Sequence, residues 1–485
     1  MTLSSLTIGG AHAQLKEKKI SSEELTRACI ERIEHADKSI NAVIHKNFDR
    51  ALSEAKKIDA KGVFAHPLTG IPYLAKDVFC EAGVPTTACS NILRNKDYVP
   101  PFDSTTTQRL RAVSAVSLGK TNTDEFTMGA STETSCFGAT RCPWDTSRVA
   151  GGSSGGSAAA TAADECLFAL GTDTGGSIRQ PASFCGCTGM KVTYGRTSRF
   201  GVMSMASSLD SIGTLAKCVE DVAIILQAIA GKDPLDATTG DVPVPNYTAT
   251  LKKGVKGLKI GLPKEYFIKG MDPQVESAVR AAAEEYRKLG AQVTDVSLPH
   301  SQYAIAAYYV IVPSEVSSNM ARYDGVRYGH TVNDPQSLVD YYEKARSSGF
   351  GAEVKRRIMI GTFALSAGYY DAYYRQAQKV RTLVKRDFEE AFGGVDVILA
   401  PIAPTPAFKI GAHTDDPLAM YLEDVFTVPI NLAGIPGLSL PCGFAKGDLP
   451  IGMQLLGPQW GEEVILRAGY AYEQATQWHM RKPAL

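Results

Sequence analysis

Gly151-Gly152-Ser153-Ser154-Gly155-Gly156-Ser157 and its continuation Gly171-Thr172-Asp173-Thr174-Gly175-Gly176-Ser177 decide how this chain is read. Between these two glycine-serine clusters, residues 157–170 read as an alanine-rich helix followed by a short apolar strand. Ser153 and Ser177 each follow a Gly-Gly pair, and glycine allows close backbone approach and positive φ. A reactive hydroxyl is presented beside backbone N–H groups in this way. By composition alone such a string is a flexible linker. That reading fits poorly, because Ala158-Ala159-Ala160-Thr161-Ala162-Ala163 and Leu167-Phe168-Ala169-Leu170 follow at once and demand burial.

Gly151-Gly152-Ser153-Ser154-Gly155 also satisfies G-x-S-x-G, the nucleophile elbow, with Ser153 as the nucleophile. An elbow follows a buried strand directly, whereas Asp145-Thr146-Ser147-Arg148-Val149-Ala150 is polar and short. The eight histidines are scattered, and none is obviously placed as the partner base. The string also lacks the Gly-Lys-Ser/Thr ending of a phosphate-binding loop. A serine without histidine can use a neutral lysine. Lys76 is the candidate, since it sits inside the apolar run of residues 68–79, where desolvation disfavours the ammonium form. A solvated surface lysine is the competing reading.

Outward from this centre, strand and helix patterns alternate, which predicts an α/β fold with a large sheet core covered by helices. Ser21 and Glu24 form a capping-box pair ahead of a helix that buries Leu25, Ala28, Cys29 and Ile33. A polar helix over residues 48–61 follows, then a helix over 104–113 feeding a strand at 115–118. Residues 258–262, a helix opened by Asp272-Pro273, and residues 292–298 read as strand, helix, strand. A tyrosine- and arginine-rich helical region spans 303–388, and residues 395–401, 434–441 and 451–456 return to core strands. Residues 233–256, rich in Pro, Gly, Asp and Thr, are expected to be a large surface loop within one domain spanning residues 1–485, or a linker dividing it.

With 485 residues, 51 basic and 51 acidic side chains and a formal net charge of +0, the chain lacks the basic footprint of a protein that grips nucleic acid alone. Any nucleic-acid role would need a partner or a local patch. The ten cysteines contain no C-x-x-C pair and read as reduced, packed thiols. With no signal-peptide pattern and no apolar run of membrane-spanning length, the default location is cytoplasmic.

The stretch from Gly151 to Gly186, with Gly-Thr-Asp-Thr-Gly-Gly-Ser-Ile-Arg-Gln-Pro-Ala and Phe-Cys-Gly, resembles the amidase signature family. The resemblance implies a Ser-cis-Ser-Lys triad, with Ser177 as nucleophile, Ser153 as the bridging cis-serine and Lys76 as base. The separation of 24 residues, 177 − 153, agrees with that pattern and favours Ser153 over Ser154 as the bridge. Thr174, Gly175 and Gly176, with Ser177, are implied as the oxyanion hole.

Later blocks, including Arg322-Tyr323-Asp324-Gly325-Val326-Arg327-Tyr328-Gly329, Glu353-Val354-Lys355-Arg356-Arg357 and Tyr421-Leu422-Glu423-Asp424, are similar to the family's tRNA-dependent branch. That branch implies a glutaminase component whose ammonia converts Glu-tRNA(Gln) to Gln-tRNA(Gln). The alternative is a free-standing amidase acting on small amides. Arg357 and Asp424 are then expected to hold the α-carboxylate and α-ammonium of glutamine, joined by Tyr308 or Tyr309. The resemblance further implies no metal or cofactor on this chain. It places ATP and Mg at a tRNA-binding, kinase-like B subunit, with a small C subunit beside it. Ala130 and Val192 depart from the family's usual serine and proline.

Overall fold

Strands from both halves of the chain pair into one mixed sheet of eleven. The structure, a computed structural model, describes residues 2–94 and 98–485. Along the sheet the strands run Val43–Lys46, Val116–Thr121, Pro72–Lys76, Phe168–Asp173, Ser211–Ala216, Thr188–Lys191, Gly437–Ala445, Leu449–Leu456, Val397–Pro401, Lys259–Pro263 and Gln292–Val296. The central strands are buried throughout, which is why they read as apolar runs without alternation.

Pro72–Lys76 lies parallel to Phe168–Asp173, with Tyr73 opposite Phe168 and their rings stacked at 5.2 Å. This pairing sets the carboxyl ends of the two strands, Lys76 and Asp173, at the same edge of the sheet. Ligand sites of open α/β sheets sit at that edge. The helix Gly155–Ala162 is wholly buried, and its small side chains let it pack close to the sheet. The alanine run is therefore core.

The helices Ser22–Ile40 and Phe48–Lys61 form as their patterns predict, the first with a full capping box from Ser21 to Glu24. The unit Lys259–Pro263, Pro273–Lys288, Gln292–Val296 is a parallel strand-helix-strand. Segment 233–256 lacks regular structure except for one short helix. Tyr247–Lys253 is a 3₁₀ helix that buries Tyr247 and Leu251, and strands on both sides of it in sequence share the sheet. Asp145–Val149 pairs with Arg141–Cys142 in a separate two-stranded sheet, so no buried core strand leads into Ser153. The ten cysteines are free thiols, most of them buried. Among the described residues no helix is long and apolar enough to cross a membrane.

Gly213 lies in Ser211–Ala216, between two partner strands, and a Cβ there would run into the Met190 carbonyl oxygen. Gly213→Ala is expected to cost roughly 1–3 kcal/mol through forced displacement of packed backbone. Denaturant unfolding of the two proteins measures this, and an unchanged midpoint would contradict it.

Candidate active site

Lys76 ends its strand fully buried, and its Nζ lies 2.8 Å from Ser153 Oγ, 2.9 Å from Ser154 Oγ and 2.9 Å from Thr172 Oγ1. The Ser154 hydroxyl donates to the Thr172 carbonyl at 3.1 Å, so toward Lys76 it accepts. A neutral amine has two protons and one lone pair. In that form, donation to Ser154 and Thr172 leaves the lone pair for the Ser153 hydroxyl. Burial pushes the Lys76 pKa down to about 7, against the pull of the Asp124, Asp173 and Asp210 carboxylates, none of which touches the amine. The amine is therefore substantially unprotonated near neutrality.

Ser153 follows a cis peptide bond from Gly152. Gly151 has φ +81°, and a Cβ there would meet Gln180 Oε1 at 2.5 Å and Pro181 Cα at 2.7 Å. That crowding explains the first glycine of the pair. The Ser154 N–H donates to the Ser177 carbonyl at 3.1 Å, which joins the two serine clusters backbone to backbone.

The loop from Thr174 to Ser177 is tied down residue by residue. Thr174 Oγ1 donates to Asp210 Oδ1 at 2.7 Å, and the Gly175 carbonyl accepts from Thr427 Oγ1 at 2.6 Å. The Gly176 N–H donates to Asp173 Oδ1 at 3.0 Å. This corrects the expectation for Gly176, whose N–H is already committed to a carboxylate. The N–H groups of Gly175 and Ser177 have no protein acceptor among the described residues. Asp173 also accepts from the backbone of Ile178 and Arg179 and from the Arg179 side chain, with both charged groups fully buried. Burial alone would raise the Asp173 pKa, but Arg179 brings it down to about 2.

A cavity of about 340 Å³ is lined by Met128, Gly129, Ala130, Ser131, Tyr309 and Arg357, among others. In its wall, Arg357 pairs with Glu353 (Nε to Oε1, 2.8 Å). Tyr421 donates to the same Glu353 oxygen at 2.9 Å, and Arg356 reaches the other oxygen. The Arg357 guanidinium lies over the Tyr309 and Tyr421 rings, at 5.5 and 5.6 Å, and those rings stack at 3.9 Å. Asp424 is buried, which pushes its carboxyl well above the usual range, although Arg357 opposes the shift. Tyr308 lies on the other side, its hydroxyl where a Cβ on Gly175 would be. Of the two neighbouring tyrosines, Tyr309 lines the cavity, together with Tyr421, and Tyr308 packs against the loop.

Glu353, Thr427, Thr172 and the acceptor role of Ser154 are not legible in the sequence alone. Glu353 has one signal, its place four residues before Arg357, the spacing of a helical ion pair.

The profile of the family described as Amidase matches residues 24–466. The chain belongs to the amidase family. The A subunit of glutamyl-tRNA(Gln) amidotransferase from Trichlorobacter lovleyi is 56% identical over 487 residues, which cover 100% of both chains. The protein of the same description from Moorella thermoacetica is 55% identical, over 97% of this chain and 96% of its own. Among solved structures, the glutamyl-tRNA(Gln) amidotransferase A subunit of Thermotoga maritima has a TM-score of 0.80 at 40% identity, covering 98% of this amidase and 95% of its own chain. A 6-aminohexanoate cyclic dimer hydrolase has a TM-score of 0.86 at 26% identity, covering 100% and 99%. The fold is the amidase fold, with a large mixed sheet flanked by helices.

The low Lys76 pKa makes stability depend on pH in a definite direction. Above the ordinary lysine value of 10.5 both folded and unfolded states are neutral. As pH falls toward about 7 the unfolded state alone takes up the proton, so the penalty grows, and below about 7 it is constant. The melting temperature of wild type relative to Lys76→Met should therefore rise between pH 7 and 10. A pH-independent difference would show that Lys76 is charged in the fold.

Proposed function

We propose that this chain is the glutamine-hydrolysing component, the A subunit, of a tRNA-dependent amidotransferase. The single observation that carries the hydrolytic reading is a fully buried lysine enclosed by three hydroxyls at 2.8–2.9 Å, one of them that of Ser153. Ser177 attacks the side-chain carboxamide of glutamine, its proton passes to Ser153, and the Ser153 proton passes to Lys76. The N–H groups of Gly175 and Ser177 receive the developing oxyanion. Lys76 then returns the proton by the same path to the leaving nitrogen, ammonia departs, and water resolves the acyl-enzyme. No cofactor is required of this chain.

Arg357 and Asp424 suit the carboxylate and ammonium of a free amino acid. Tyr309 and Arg357 line one cavity. Glu353 occupies Arg357 Nε and leaves the terminal nitrogens of the fork for a substrate carboxylate. The substrate assignment is supported by the relatives, 55–56% identical over essentially the whole chain, that are described as this component of glutamyl-tRNA(Gln) amidotransferase. In that setting the ammonia goes to a tRNA-binding, kinase-like B subunit, which uses ATP and Mg to activate misacylated glutamate, with a small C subunit in the complex. The balanced charge of this chain agrees with tRNA being held by the partner. The complex works in the cytoplasm.

Ser177→Ala should abolish glutamine-dependent amidation of Glu-tRNA(Gln) by the complex and spare amidation from free ammonia. Loss of both, or of neither, would count against the reading. Lys76→Arg retains charge but cannot act as a base near neutrality. It should lower kcat by at least about 100-fold, within the range for general-base removal. The wild-type rate should rise with pH through about 7 as Lys76 loses its proton. Glu353→Gln should raise KM for glutamine more than it lowers kcat, since it loosens a binding arginine away from the reacting atoms.

A further inference from the structure

Thr427 is fully buried three residues beyond Asp424 and reaches the loop of Ser177. Its Oγ1 lies 2.6 Å from the Gly175 carbonyl and 3.1 Å from the Asp424 carbonyl. Its N–H donates to that same Asp424 carbonyl at 3.1 Å, and its own carbonyl accepts from Arg179 Nη2 at 3.1 Å. Gly176 has φ +139°, and a Cβ there would run into the Thr427 side chain. Thr427 therefore fills the space beneath the Gly175-Gly176 peptide.

That peptide is gripped at both ends. Its oxygen is held by the Thr427 hydroxyl and its N–H by Asp173. A peptide between two glycines has little intrinsic preference for one orientation. Without the hydroxyl only the Asp173 contact holds it, so the peptide can tilt about the bonds on either side, and a tilt shifts the flanking N–H groups. Those are the N–H groups of Gly175 and Ser177.

We infer that Thr427 is a positioning residue for amide hydrolysis, locking the Gly175-Gly176 peptide so that the flanking N–H groups meet the oxyanion, and linking that lock to the Asp424 turn. It touches neither the substrate nor the reacting atoms. The inference rests on Ser177 being the nucleophile.

The test compares Thr427→Val, which keeps the shape and removes the hydroxyl, with Thr427→Ser, which keeps the hydroxyl, in the full-length enzyme. Misplacement of catalytic donors costs about 100-fold in rate. Thr427→Val should accordingly lose roughly 30- to 100-fold in kcat for glutamine, with KM within about threefold of the parent. Thr427→Ser should return kcat to within about threefold. A glutamine-derived aldehyde, which forms a tetrahedral adduct on the nucleophile, should bind Thr427→Val more weakly by the same factor as kcat falls, while non-covalent glutamate binds equally well. If Thr427→Val does not fold, Thr427→Ala against Thr427→Ser is judged by the same criteria. The inference is overturned if the variant lacking the hydroxyl keeps kcat within about threefold, if serine fails to rescue, or if the whole loss lies in KM. Full hydrolysis by Ser177→Ala would remove the nucleophile assignment itself. A parental rate in Thr427→Val beside an inactive Ser177→Ala removes only the role of Thr427.

Discussion

A carboxylate and a guanidinium taken wholly out of water, Asp173 and Arg179, hold the rest of the site in place. Such a pair contributes little net stability, because desolvation of both ions offsets most of their attraction, whereas removing one partner leaves an unpaired buried charge. Its value here is directional. Asp173 accepts from three backbone positions after the strand, at Gly176, Ile178 and Arg179, and so sets the turn in which Ser177 stands. Arg179 in turn reaches Gln454, Asn431 and the Thr427 carbonyl, so the turn is fixed against the far half of the sheet. A loop made of glycine, threonine and serine acquires rigidity from these surroundings.

Lys76 illustrates the opposite use of burial. Asp173 is kept charged by a partner in contact, while Lys76 is given hydroxyls and no ion. The two side chains end adjacent parallel strands, and the difference in what surrounds them sends one pKa to about 2 and the other to about 7. Hydroxyls accept or donate according to need, so they stabilise a neutral amine without restoring its charge. One sheet edge thereby carries a permanent anion that builds structure and a base ready to take a proton.

Much of this is legible in the sequence. The apolar run around Lys76 and the two Gly-Gly-Ser clusters are local patterns, and local patterns survive translation into structure. The helix Phe48–Lys61 and the capping box at Ser21 are of the same kind. Contacts across large separations in the chain are another matter. The commitment of the Gly176 N–H to Asp173 is short-range, but it depends on how the loop turns, and no residue type announces it. The Thr427 contact with Gly175 spans 252 residues, and nothing in the surrounding Thr427-Val428-Pro429 marks it. The short helix within segment 233–256 is hidden in the sequence for a related reason. Its proline and glycine content signals turns, but Tyr247 and Leu251 find buried places that only the assembled helices provide.

The long reach of Arg179 has a consequence for the birth of the protein. Its partners Asn431 and Gln454 lie 252 and 275 residues downstream. Domains assemble while the ribosome is still extending the chain at about 5–20 residues per second. For many seconds a nascent polypeptide carries its serines, lysine and glycines without the residues that organise them. Hydrolytic competence thus arrives late, with the last strands, so that fragments released early and incomplete chains have the sequence signature of an amidase but no means of wasting an amide.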